Sequence, residues 1–156
     1  MYKLINTKVL LIVLLPFLFW GCDDLFDEGD WEKSFEDDPQ VEFKPLSQEV
    51  DDDAGATTVA VQLIGEQRDS DLQVDFSADG DAVEGEHYEL ATSSPVTIDA
   101  GTSSSDVEIT LIEGSVEDEV ALQLNLDGTN ADVEPAPNLS EATVFIQEPE
   151  EEDEEE

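Results

Sequence analysis

Three groups of side chains have the types and spacing to do chemistry. Asp51-Asp52-Asp53 and Glu117-Asp118-Glu119 are short carboxylate runs, each ahead of a stretch of alternating apolar residues. Calcium takes about six to eight oxygen ligands, often from carboxylates that meet at one end of a rigid scaffold. These two runs precede strands that could open at one pole, where the acidic C-terminal run also begins. The pattern has low specificity, because 42 Asp+Glu put acids in nearly every loop. Cys22 is the single cysteine, so no internal disulfide can form and the thiol needs another role. His87 is the single histidine. A single histidine excludes metal clusters built on several histidines, and His87 reads as a loop residue beside Tyr88, not as a ligand or a member of a triad. No phosphate-cradling or dinucleotide glycine motif occurs. A general acid and base cannot be singled out among so many carboxylates. The expectation is a protein that is not an enzyme and needs no cofactor, with calcium the one ion to weigh.

Charge narrows the partners. The chain holds five Lys+Arg and has a formal net charge of −37. Lys3 and Lys8 lie in an N-terminal segment that carries no acids. Without it, Lys33, Lys44 and Arg68 face all 42 acids, a net charge of −39. Such a surface repels nucleic acid and anionic lipid. The lysine deficit favours adaptation to brine over a dedicated acidic binding role. At ~1 M salt the Debye length is near 3 Å and carboxylate repulsion is largely screened. At low salt the same charge opposes the compact state.

The N-terminus has the layout of an export signal. Two lysines precede the apolar run Val9–Trp20, which ends at Gly21-Cys22 and switches abruptly to Asp23-Asp24. The run is shorter than the ~20 residues of a membrane-spanning helix, and Pro16 interrupts it. Phe19-Trp20-Gly21-Cys22 resembles a bacterial lipobox, with Phe19 and Trp20 in place of the usual leucine and small residue. The resemblance implies removal of residues 1–21 and attachment of lipid to Cys22. Asp23-Asp24 is similar to the acidic export signal of Bacteroidota outer-membrane lipoproteins.

These groups must be positioned by the elements behind them. Residues 22–39 keep no period and read as an acidic tether. From residue 40 the period becomes two. The inward sets are Val41/Phe43, Val59/Val61/Leu63, Leu72/Val74/Phe76, Val96/Ile98, Val107/Ile109/Leu111, Val120/Leu122/Leu124/Leu126 and Ala142/Val144/Ile146. Alternation places each set on one face, as in a half-buried strand. Seven such runs between Asp/Gly/Ser/Pro clusters predict an all-β fold, an immunoglobulin-like antiparallel β-sandwich over residues 40–147. Asp51–Gly55, Asp79-Gly80-Asp81 and Ala100-Gly101 are expected turns. Residues 148–156 are nearly all Glu and Asp, and are expected to be a disordered tail.

Residues 41–147 resemble the Calx-β domain. The matching pieces are Asp52-Asp53-Ala54-Gly55 leading to Val59, Val74-Asp75-Phe76-Ser77, Ala82-Val83-Glu84-Gly85-Glu86-His87-Tyr88, Val96–Gly101 and Val107–Ile112. His87 stands where the family has Asp, and Gln147-Glu148-Pro149-Glu150 replaces its closing acidic run. The resemblance implies a sandwich, and for calcium-binding members it maps ligands onto Asp52 or Asp53, Glu113, Glu117, Asp118, Glu119, Glu148 and Glu150. Many bacterial members share the fold without binding calcium.

Together these features lead to one expectation: a salt-adapted, non-catalytic binding or structural module, held by Cys22 to the outer membrane at its surface or periplasmic face. Its expected partners are that membrane and an envelope or extracellular protein. The alternatives are a calcium-binding adhesion or assembly domain and an accessory subunit of an envelope complex.

Overall fold

The computed structural model describes residues 38–149. Ten strands follow in chain order: β1 (Gln40–Lys44), β2 (Ser47–Asp51), β3 (Ala56–Ile64), β4 (Leu72–Gly80), β5 (Tyr88–Leu90), β6 (Val96–Ile98), β7 (Ser104–Leu111), β8 (Val120–Thr129), β9 (Glu134–Pro135) and β10 (Glu141–Gln147). They form two five-stranded sheets, ordered β5-β7-β3-β1-β9 and β2-β10-β8-β4-β6. The described residues contain no α-helix, only a single 3-10 turn at Asp52–Ala54.

All seven alternating runs are strands, and the reason is burial. Val41, Phe43, Val59, Val61, Val74, Val107, Ile109, Leu122, Leu124, Val144 and Ile146 are all at most 1% exposed. They belong to strands of both sheets and join one core. Fully burying a Val, Leu, Ile or Phe side chain contributes about 1.5–3 kcal/mol, so this interior needs no disulfide. The period of two makes register strict. A slip by one residue would bring Glu108 or Asp75 into the core in place of Val107 or Val74.

The strand count and pairing depart from the expected seven-stranded antiparallel arrangement. β2, β5 and β9 are additional, and two pairings are parallel: β1 with β9 and β10 with β2. The three extra strands are edge strands. They are held by backbone bonding to a neighbour and carry little apolar alternation. β2 reads Ser-Gln-Glu-Val-Asp, and its one inward polar side chain is satisfied: Gln48 Nε2 donates to Thr57 Oγ1 at 3.0 Å and to the Thr58 carbonyl at 3.2 Å.

Candidate functional site

Strand registers place the acidic loops together. β2 and β10 run parallel, with Asp51 opposite Gln147, so Asp52–Asp53 and Glu148 leave the sheet at the same end. β8 starts there too, since Val120 pairs with Ile146, and β4 ends there, since Gly80 pairs with Leu122. The loop from Ile112 to Glu119, between β7 and β8, therefore shares this pole with the turns at 51–55 and 80–88.

The pole is closed by hydrogen bonds. Asp52 is 2% exposed, the one buried charged side chain among the described residues. Its Oδ2 accepts from Ser115 N–H at 3.0 Å and from Val116 N–H at 3.4 Å. Val116 is itself buried, so Asp52 anchors the loop that carries Glu113 and Glu117–Glu119. Gln147 Nε2 donates to Asp51 Oδ1 at 3.0 Å, and Leu111 N–H donates to the Gly55 carbonyl at 3.0 Å. Asp81 and Ala82 both donate to the Ala121 carbonyl. Gly80 makes that contact possible. Its φ is +110°, and a Cβ there would run into the Ala121 carbonyl oxygen.

The turn before β5 is held by His87. Its Nδ1 accepts from Val83 N–H at 2.9 Å, while His87 N–H and Glu86 N–H donate to the Val83 carbonyl. This bond requires Nδ1 unprotonated. Ile112 N–H donates to the His87 carbonyl, tying this turn to the Glu113 loop. Tyr88 is 4% exposed. Burial, and then the charge of Glu84, push its phenol above the usual tyrosine range.

The candidate ligands divide accordingly. Asp52 has its carboxylate engaged by two amides. Asp53, Glu113, Glu117, Asp118, Glu119 and Glu148 are exposed. Cys22 and Glu150 lie outside the described residues, as do most of the tether and tail. Among the described residues, no three Asp, Glu, His or Cys side chains converge where a metal could sit. The carboxylates share a pole without forming a calcium cage in this arrangement.

Reasoning from sequence did not single out the bonds that close the pole. Gln48, Gln147 and the acceptor role of His87 are invisible in composition. One signal was available for His87: it stands where the resembled family has Asp, another side chain able to accept a backbone N–H.

No family model and no curated protein matches the chain. Solved structures do. An apo-form Calx CBD1 domain aligns at 21% identity over 73% of this chain and 100% of its own, with a TM-score of 0.63. A calcium binding domain, CBD12 of CALX1.1, aligns at 22% identity over 70% of this chain and 44% of its own, with a TM-score of 0.61. A two-domain protein of unknown function from Bacteroides fragilis NCTC 9343 aligns at 12% identity over 72% of this chain and 46% of its own, with a TM-score of 0.51. At such identities the likeness is one of backbone architecture. Residues 40–147 of this chain form a β-sandwich similar in fold to the Calx-β domains.

Proposed function

We propose that the protein is a non-catalytic envelope module, lipid-anchored through Cys22 and adapted to concentrated salt. One observation carries the salt adaptation. Among the described residues the cationic side chains are Lys44 and Arg68, against carboxylates on strand faces and loops throughout. Charge of one sign at this density opposes folding unless counterions screen it. The anchor rests on the run Val9–Trp20 ending at Gly21-Cys22. Asp52 supports the non-catalytic reading, since the one buried carboxylate among the described residues is committed to closing a loop.

A calcium-dependent adhesion or assembly domain is the second reading. It is favoured by the shared pole of Asp53, Glu113, Glu117–Glu119 and Glu148, and by the calcium-binding neighbour in fold. Binding there would require the Ile112–Glu119 loop to rearrange.

Thermal melts in ~1 M NaCl, with millimolar calcium against millimolar magnesium, separate the two readings. The salt-adapted reading expects the two ions to act alike. Saturable stabilisation by calcium alone, lost in Glu117→Gln or Asp118→Asn, would move the assignment to the calcium module. Intact mass of the membrane fraction tests the anchor. Acyl mass on a chain starting at Cys22 is expected, and its absence would remove the anchor from the proposal.

A further inference from the structure

The turn Ala82–His87, just before β5, is closed by the one histidine of the chain. Val83 N–H donates to His87 Nδ1 at 2.9 Å, and the amides of Glu86 and His87 donate back to the Val83 carbonyl at 3.1 and 2.9 Å. The neutral ring thus accepts through Nδ1 and carries its proton on Nε2. His87 is also joined to the neighbouring loop. Its carbonyl accepts from Ile112 N–H at 3.1 Å, and Ile112 is the first residue after β7. That bond sets where the Ile112–Glu119 loop leaves the sheet. Further along, Asp52 holds the same loop through Ser115 and Val116.

Histidine is the side chain whose charge ordinarily changes between pH ~5 and ~8. Protonation puts a hydrogen on Nδ1, where it meets the Val83 N–H, donor against donor. The bond cannot survive. Surrounding charge drives the ring the same way. The titratable groups on the turn and on the elements next to it are Asp79 and Asp81 before it, Glu84 and Glu86 within it, Tyr88 and Glu89 after it, and Glu113 and Glu119 on the loop. None is basic. Among the described residues the cations are Lys44, on β1, and Arg68, in the loop after β3. An imidazolium is attracted to the carboxylates, and rotation toward any of them takes Nδ1 off Val83.

We propose that His87 is an acid-released latch on the acidic pole. At neutral and alkaline pH its uncharged ring closes the Ala82–His87 turn. When the ring takes up a proton, Val83 N–H is let go, the turn loosens, and the His87 carbonyl no longer fixes Ile112. Of its two holds, the Ile112–Glu119 loop then keeps only Asp52. An asparagine in place of His87 keeps the latch closed, since its Oδ1 stands where Nδ1 does and accepts without titrating. The inference concerns the pole alone and depends neither on the lipid anchor nor on the salt adaptation.

Nuclear magnetic resonance of residues 22–156 in ~1 M NaCl, titrated from pH ~8 to ~5, follows each step. The ring nitrogen shifts report the tautomer and the protonation of His87. At the alkaline end they should show Nδ1 without a proton. The Val83 amide shift should then move in step with the ring. Exchange of the Val83 and Ile112 amides, corrected for its intrinsic pH dependence, should quicken about threefold or more across that titration, the worth of one exposed hydrogen bond. His87→Asn should abolish both responses and keep the slow rates throughout. His87→Ala should exchange fast at every pH; if it does not fold, His87→Asn alone decides the matter. A proton on Nδ1 at the alkaline end would overturn the proposal. So would a ring that titrates while Val83 stays unmoved, or a response confined to Val83 with Ile112 unchanged. The same response in His87→Asn would also overturn it, by placing the origin in the carboxylates.

Discussion

Replacing Asp52 with alanine removes the acceptor that Ser115 N–H and Val116 N–H share at 3.0 and 3.4 Å. Val116 is 6% exposed, so at least one of those donors loses its partner away from water. An unpaired buried donor costs about 1–3 kcal/mol, and a hydrogen bond to a charged group contributes about 1.5–3 kcal/mol. The second bond is long and weaker. The expected loss is therefore about 2–4 kcal/mol for Asp52→Ala. Asp52→Asn keeps an oxygen in place and should lose only about 1 kcal/mol. Removing a carboxylate also relieves some repulsion in so acidic a chain, which would disguise the loss at low salt. Urea unfolding in ~1 M NaCl isolates the bond, because the short Debye length suppresses the charge contribution. The reasoning fails if Asp52→Ala unfolds within ~0.5 kcal/mol of the parent, the range of an ordinary surface change. It also fails if Asn is as damaging as Ala.

Other substitutions test neighbouring parts of the account. Ser115→Ala removes a hydroxyl oxygen that is buried with no partner, and leaves the backbone donor to Asp52 intact. Its urea midpoint should hold or rise, by up to ~1 kcal/mol of stability. Gly80→Ala places a Cβ against the Ala121 carbonyl oxygen at a φ of +110°, and should cost about 2–4 kcal/mol in the same assay. Leu122→Ala at the centre of the core should cost about 2–5 kcal/mol, measured by the same unfolding. Tyr88 has a distinct pH signature. Its raised phenol loses its proton later in the folded chain than in the unfolded one, which ionises near pH ~10. The stability it contributes is full below that pH and is lost as pH climbs through the folded value. Melting temperature should fall above pH ~10, and less steeply in Tyr88→Phe.

The core was legible because each inward residue is separated from the next by one outward residue. Val59, Val61 and Leu63 declare a buried face with no knowledge of their partners, and so do Leu122, Leu124 and Leu126. β2 was not legible. Its Ser-Gln-Glu-Val-Asp alternates weakly and is held in the sheet by β10 through the backbone. β9 is two residues long and includes a proline, so it carries almost no local signal. Topology was missed for a related reason: whether an edge strand lies parallel to its neighbour depends on where the chain crosses between sheets. At the acidic pole, the grouping of Asp51–Asp53 with Glu117–Glu119 could be anticipated from strand order alone. The inward turn of Asp52 toward Ser115 and Val116 could not, because Asp51, Asp52 and Asp53 are identical side chains distinguished only by a 3-10 turn. His87 shows the limit from the other side. As a lone histidine it read only as a loop residue beside Tyr88, and its Nδ1 holds that turn.

Urea unfolding of residues 22–156, followed by far-ultraviolet circular dichroism over a series of NaCl concentrations, bears most directly on the proposal that the acidic exterior of the sandwich depends on counterions. A β-type spectrum is expected, with a midpoint that climbs steeply into the molar range and then levels off. A midpoint indifferent to salt, or a spectrum dominated by helix at any concentration, would contradict the account.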